Sequence, residues 1–383
     1  MAPNKRWYLW PFLIGIGMAL FPVHNMSLTQ TATSNGEVLF FIPAFGAFLW
    51  IAGSGAYLAK FATKLDLGPR HIYIPLLVIV SAIGISGLAF DNLKDGISPL
   101  LAGLSLFMVY LAARELGKAI FLPLAIGAVI ASLGVIVHAF VYPGELTGGY
   151  VFDYNYDIVV GYILLGAALY IGKWRWQLAT LSLVAIYFTG SPEGLFAVGV
   201  LGIAVLWRRD CGKRLVIAGA LIVIVAGVWT AVGHGVTLYT YVGQVFRNDA
   251  SIPAEEQVRP IAGSTAIMYR LKIIGQEMKE LTPLGDGYML TAFKPNTVHN
   301  VPLVVVHQLG WPGILAALAW LWITGYCLIK TRWKYAWLLI LALSVFDHFI
   351  WTQMAPVWWA MVGVSISTHI DNDKVFRSIN SGL

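Results

Sequence analysis

The stretch Ala119-Ile120-Phe121-Leu122-Pro123-Leu124-Ala125-Ile126-Gly127-Ala128-Val129-Ile130-Ala131-Ser132-Leu133-Gly134-Val135-Ile136-Val137-His138-Ala139-Phe140-Val141 decides the class of this protein. It runs for 23 residues without one Asp, Glu, Lys or Arg. A helix of roughly 20 apolar residues crosses the hydrocarbon core of a bilayer. In lipid no water is at hand for the backbone, so a run of this kind has to close its N–H and C=O groups internally, as a helix does.

Similar runs lie on both sides of it, near 7–23, 38–59, 72–90, 97–113, 157–172, 176–189, 194–207, 215–233, 303–329, 335–351 and 355–369. Together they predict an all-α polytopic membrane protein of about twelve spans. Composition agrees. Of 383 residues, 58% are hydrophobic and 11% charged, against about 25% charged in a soluble domain. The first run follows Lys5 and Arg6 as a signal peptide would, but no small-residue cleavage site follows convincingly, so it reads as a retained span. The stretch 176–207 reads either as two short helices meeting at Gly190-Ser191-Pro192-Glu193-Gly194 or as a broken re-entrant pair, and the Pro-Glu-Gly punctuation favours a turn.

The charge map tests the count. With the N-terminus in the cytoplasm and the spans alternating, the inside receives Lys5, Arg6, Lys60, Lys64, Arg70, Arg114, Lys118, Lys173, Arg175, Arg208, Arg209, Lys213, Arg214, Lys330, Arg332, Lys334, Lys374 and Arg377. The short outside loops receive Lys94 alone. The other basic residues fall in the long outside loop 234–298, between spans nine and ten, and long loops are largely exempt from the positive-inside rule. The expectation is a single integral domain over 1–383 in the cytoplasmic membrane, both termini cytoplasmic. The net charge of +6 then becomes a signal for the membrane surface and its lipids, and requires no nucleic acid. Cys211, in a basic loop, and Cys327, in an apolar run, suggest neither a disulfide framework nor a metal site.

Polar groups gather on the outside: Asp153-Tyr154-Asn155-Tyr156-Asp157, Ser191-Pro192-Glu193-Gly194, the long loop, and Asp347-His348. Ionisable groups at membrane depth are functional candidates by default. Within the loop, Gly263-Ser264 can open a helix, and Ile267, Leu271, Ile274, Met278 and Leu281 repeat at helical spacing up to Thr282-Pro283. This predicts an amphipathic helix at the membrane surface with Arg270 in its first half. A glycine turn, Pro283-Leu284-Gly285-Asp286-Gly287, follows, and His299-Asn300 closes the segment 234–300. Each residue also has a plainer reading. An Arg on such a helix can simply contact lipid phosphate, a His at a helix start can be a solvated cap, His307 reads as a packed polar residue, and Asp347-His348 can be an ion pair closing a helix end. No Ser/His/Asp order, metal-ligand spacing or phosphate-binding glycine loop is visible. From the residues alone, the result is an outward polar site bearing Arg and His.

The run His299-Asn300-Val301-Pro302-Leu303-Val304-Val305-Val306-His307-Gln308-Leu309-Gly310-Trp311-Pro312-Gly313 resembles the His-Asn, nine residues, Gly-x-x-Gly signature of the O-antigen ligase and O-antigen polymerase superfamily. Arg270-Leu271, Pro283-Leu284 and Gly285-Asp286-Gly287 resemble that family's loop pattern, Asp347-His348-Phe349-Ile350-Trp351-Thr352 a stretch near the C-terminus of many members, and Asn155 an Asn that opens a mid-chain span. The resemblance covers the topology and roughly residues 145–360. It implies a multi-span glycosyltransferase fold without a Rossmann domain (GT-C-like). The donor would be a glycan on a polyprenyl diphosphate, and the acceptor a hydroxyl of a glycolipid, glycan or protein. His299 and Arg270 would be catalytic, as general base and as stabiliser of the departing phosphate. Asn300, Asn155, Asp347 and His348 would touch substrate, with neither a metal nor a cofactor required. Members often carry Ser-Arg or Ser-Lys where this chain has Ser191-Pro192, so a second cation for the diphosphate would come from elsewhere, with Arg259 and Arg247 as candidates. Lipid-core-type ligation, polymerisation of lipid-linked repeats and transfer to protein stay open, because the acceptor site is not readable. Outside the class stands a transporter of a lipid-linked or polar solute, although no repeat relates the two halves and few charges lie mid-span.

Overall fold

The computed structural model describes residues 9–22, 41–61, 66–141, 156–170, 174–189, 191–208, 281–288 and 300–367. Among them the regular elements are all helical and no strand occurs. The helices are α1 (Leu9–Leu20), α2 (Phe41–Phe61), α3 (Arg70–Ser86), α4 (Leu93–Leu116), α5 (Leu122–Val141), α6 (Tyr156–Leu169), α7 (Arg175–Thr189), α8 (Pro192–Arg208), α9 (Val301–Leu309), α10 (Trp311–Lys330), α11 (Lys334–Phe346) and α12 (Ala355–Ser365). Short 3-10 turns, Gly87–Ala89 and Gly117–Phe121, follow α3 and α4.

Three helical stretches are long and apolar enough to cross a membrane: Arg70–Ala89, Asp95–Val141 and Trp311–Lys330, of 20, 47 and 20 residues. The middle one exceeds twice the roughly 20 residues of one crossing, and the turn Gly117–Phe121 divides it into α4 and α5. Apolar side chains also point outward. Helix α5 exposes Ile126, Ile130, Leu133 and Val137 while burying Leu124, Ala128, Ala131 and Val135. A helix at a water interface keeps one polar face. Apolar residues on both faces suit a helix with lipid on one side and protein on the other.

One predicted segment is corrected. The run 303–329 is not a single helix, because the chain breaks at Gly310 (φ 64°, ψ −142°) into α9 and α10. Helix α10 alone, at 20 residues, has the length of a crossing. Helix α9 is tied at its two ends to the end of α11 and to the α11–α12 connection: Asn300 Nδ2 donates to the Val345 carbonyl, and Gln308 Oε1 accepts from Trp351 Nε1. The stretch 176–207 forms two helices, α7 and α8, with Pro192 opening α8. The predicted span 215–233 lies outside the described residues.

The core centres on α12, all eleven of whose residues are buried. It packs on α4 so tightly that a Cβ on Gly363 would lie 2.3 Å from the Tyr110 carbonyl oxygen. Trp358 stacks on Trp320 with ring centroids 5.9 Å apart, and its Nε1 donates to Thr324 Oγ1 at 3.2 Å. Trp337 Nε1 donates to Ser365 Oγ at 2.9 Å. Helices α1 and α2 meet at Gly17 and Gly46, where a Cβ on Gly17 would come within 2.7 Å of the Gly46 carbonyl oxygen. Close contact at small residues and interhelical hydrogen bonds are the means of association left when lipid removes the hydrophobic drive.

The helix ends form two clusters. At one, Arg114 near the end of α4 holds the Asp66 side chain with an Nη2–Oδ2 distance of 2.8 Å, Tyr110 donates to the Leu67 carbonyl, and Ser367 donates to the Arg114 carbonyl. Phe121 packs edge-on against Trp333, so the Gly117–Phe121 and α10–α11 turns share this end. The opposite end gathers the α3–α4 turn, the segment 281–288, α9 and the α11–α12 connection.

Candidate functional site

The second end is built around the break at Gly310. A helix leaves its last carbonyls and first N–H groups without internal partners, and here a loop segment supplies them. Asp286 N–H donates to the His307 carbonyl at 3.2 Å and Gly287 N–H to the Gln308 carbonyl at 3.0 Å, which closes the end of α9. Trp311 N–H, at the start of α10, donates to the Pro283 carbonyl at 3.0 Å. The turn thus caps both helices at once.

Only glycine permits this fit. Gly310 occupies a backbone region essentially reserved for glycine, and Gly285 also has positive φ, at 73°. A Cβ on Gly310 would sit 2.3 Å from the Pro283 carbonyl oxygen, and one on Gly285 would sit 2.4 Å from the Gln308 carbonyl. Gly313, the second glycine of the Gly-x-x-Gly, brings α10 against α9, where a Cβ would lie 2.6 Å from the Val305 carbonyl oxygen.

Tyr288 carries the connection further. Its N–H donates to Ser86 Oγ at 3.1 Å, and its hydroxyl donates to the Trp351 carbonyl at 3.2 Å. The Trp351 ring meets it edge-on at 5.3 Å, and Trp351 Nε1 donates to Gln308 Oε1 at 2.9 Å. Burial pushes the Tyr288 phenol upward, so it remains a donor across the physiological range. The glycine turn, the Gly-x-x-Gly break, the α3–α4 turn and the α11–α12 connection form one assembly.

The sequence-predicted residues divide in two. Described are Asn300, Asp347 and His348. Asn300 is the N-cap of α9: its Oδ1 accepts from Leu303 N–H at 3.3 Å, as capping asparagines do, and its Nδ2 donates to the Val345 carbonyl at 3.1 Å. Asp347 caps the C-terminus of α11, with its N–H on the Leu343 carbonyl. Its Oδ1 lies 3.1 Å from His348 Nδ1 and accepts from His348 N–H, and both side chains are buried. The structure therefore brings Asn300 and the Asp347–His348 pair to the same helix end. Asn155, Arg247, Arg259, Arg270 and His299 lie outside the described residues. His307 is half-buried, with Nδ1 3.6 Å from Asp286 Oδ2.

Compared with known proteins, the sequence matches no family model and no curated protein. Among the described residues, no group of three or more His, Cys, Asp or Glu could hold a metal ion.

Ser191-Pro192-Glu193-Gly194, the turn without the cation that the resemblance implies, has a local role. Ser191 Oγ accepts from Gly194 N–H at 3.1 Å, and Pro192 stands at the first position of α8. Serine as cap followed by proline is helix-start chemistry. Sequence reasoning missed Tyr288, Gln308 and Trp351. All three are neutral, and no ligand spacing or charge marks them. Their significance lies in whom they touch across more than 40 residues of chain.

Proposed function

We propose that this chain is a membrane glycosyltransferase, moving a glycan from a polyprenyl-diphosphate carrier to an acceptor hydroxyl outside the cytoplasm. The observation that carries this reading is the run from His299 to Gly313. Three of its signature residues do different things: Asn300 caps α9, Gly310 makes the break, and Gly313 lets α10 approach α9. The Gly285-Asp286-Gly287 turn, which belongs to the same resemblance, docks on that break. Two parts of one sequence signature meeting in space support its being more than chance spacing.

In this proposal the chain crosses the membrane twelve times with both termini in the cytoplasm, and the Arg114 end faces inward. Lys118, Lys330 and Arg332 lie in or beside the turns at that end, against Lys94 at the other, which supports the assignment. His299 removes the proton of the acceptor hydroxyl. The acceptor oxygen attacks the anomeric carbon, the bond to the diphosphate oxygen breaks, and its electron pair stays on the diphosphate. Arg270 stabilises that growing charge with a bidentate guanidinium. Attack opposite the leaving group inverts the anomeric centre. Ligation to a lipid-core glycan is the form we favour.

The test is glycan transfer in host membranes, using the native polyprenyl-diphosphate glycan pool, for wild type, His299→Ala and Arg270→Ala at equal abundance. Each substitution should lower transfer by roughly a hundredfold or more, with lipid-linked donor accumulating. The acceptor labelled by wild type separates ligation from polymerisation. Normal transfer in both variants would sink the assignment and leave transport as the better reading.

A further inference from the structure

We propose that Asn300 is a positioning residue for this transfer, through the tie its amide makes to α11. The inference rests on the glycosyltransfer reading. Asn300 directly follows His299 in the chain, so whatever fixes the backbone at Asn300 fixes the attachment of the proposed base.

The side chain makes two separable contacts. Oδ1 accepts from Leu303 N–H at 3.3 Å, within α9 itself. Nδ2 donates to the Val345 carbonyl at 3.1 Å, in the last turn of α11 and 45 residues away. The first is a local cap that Asp, Ser or Thr could provide. The second needs a donor on the same short side chain, and a carboxylate has none.

The tie also selects a location. Val345 lies two residues before Asp347, whose carboxylate pairs with His348. At its other end, α9 is held by Gln308 on Trp351 and by the glycine turn on Gly310. The first turn of α9 packs through the buried Val301 and Val304, and without the Asn300 tie it loses its hydrogen bond to α11 and can shift slightly on that packing. Effective geometry at a reacting centre tolerates little of this, since a misplacement of about 1 Å can cost on the order of a hundredfold in rate. Oδ1 and one Nδ2 hydrogen of the Asn300 amide are thus engaged with protein.

The experiment compares wild type, His299→Ala, Asn300→Asp and Asn300→Gly in host membranes carrying the native polyprenyl-diphosphate glycan pool, titrated to separate kcat from KM, with thermal unfolding of each purified protein. Asn300→Asp keeps the cap and loses the tie, whereas Asn300→Gly loses both at little cost to the cap position. If the tie positions His299, both variants lose kcat by a similar factor, on the order of tenfold to a hundredfold. KM stays within about twofold, and Asn300→Asp unfolds within a few degrees of wild type, as the loss of one exposed hydrogen bond allows. If the cap is all that matters, Asn300→Asp transfers like wild type, which overturns the inference and leaves the functional reading intact. A fall in donor affinity with kcat unchanged also overturns it, by making Asn300 a substrate contact. If wild type shows no transfer, the functional reading is overturned and this inference with it; if only His299→Ala transfers normally, His299 is not the base and this inference alone is overturned.

Discussion

The two ends of the helix bundle hold their loops by different physics. At the Arg114 end the agent is a charge. A buried guanidinium reaches the carbonyl and the carboxylate of Asp66, and Asp66 is itself exposed, at 61%. At the Gly310 end the agent is backbone. Three main-chain hydrogen bonds and three glycines with positive φ join the 281–288 segment to the α9–α10 break, and neutral Tyr288, Trp351 and Gln308 extend the junction. A charged clasp answers to salt and pH and tolerates shifts of a few tenths of an ångström. A glycine interlock answers to shape and tolerates almost none. The second kind is what a site needing fixed geometry requires.

Gly310→Ala should break this contrast hardest. The new Cβ would meet the Pro283 carbonyl oxygen at 2.3 Å in a backbone region that only glycine enjoys. We expect a loss of about 3 kcal/mol or more in unfolding free energy, read by denaturation in detergent. Near-wild-type stability would mean that the junction is loose. Trp351→Phe keeps most of the ring and removes one donor, which leaves the buried Gln308 carbonyl oxygen without it. The expected cost is about 2 kcal/mol, insensitive to salt between low and high ionic strength. Marked salt dependence would contradict the neutral character assigned to this end.

Asp66→Asn should have a smaller effect, about 1 kcal/mol, because one partner is solvent-exposed and screened. This variant sharpens the comparison through pH. The hydrogen bond from Arg114, with a second from Gly68 N–H, holds the Asp66 carboxyl below its ordinary value. A depressed carboxyl pKa adds stability above its unfolded value, and that stability is lost as pH falls through the lower folded value. Wild type should therefore lose thermal stability more steeply than Asp66→Asn below about pH 4. Parallel curves would show that the pair contributes nothing. The mildest expectation concerns Ser191→Ala, which should cost about 1 kcal/mol as a lost cap and leave glycan transfer unchanged. Loss of transfer at normal stability would return this turn to the site.

Much of the helical framework could be read in the sequence, because an apolar run in lipid must bond internally wherever it lies in the chain. The ends of α2, α3 and α5 fall within a few residues of the runs 38–59, 72–90 and 119–141. The break inside 303–329 left a local trace that hydropathy smooths over: a glycine in a helix-ending position with proline two residues later, Gly310 and Pro312. Of the site, the charged residues, the histidines, Asn300 and the signature glycines stood out by type. Tyr288, Gln308 and Trp351 did not, since a neutral side chain acquires a role only from its neighbours.

By itself, the sequence determined the helical class of the described residues and the apolar segments long enough for a bilayer. Both follow from a rule that acts within one segment, backbone satisfaction in lipid. Tertiary structure alone decided that the glycine turn seats on the Gly310 break, that α9 packs back against the start of α10, and that Asn300 reaches Val345. These contacts join residues more than 20 to more than 200 positions apart. Their energy comes from close approach and from donors meeting acceptors, which no property of either partner taken singly can specify.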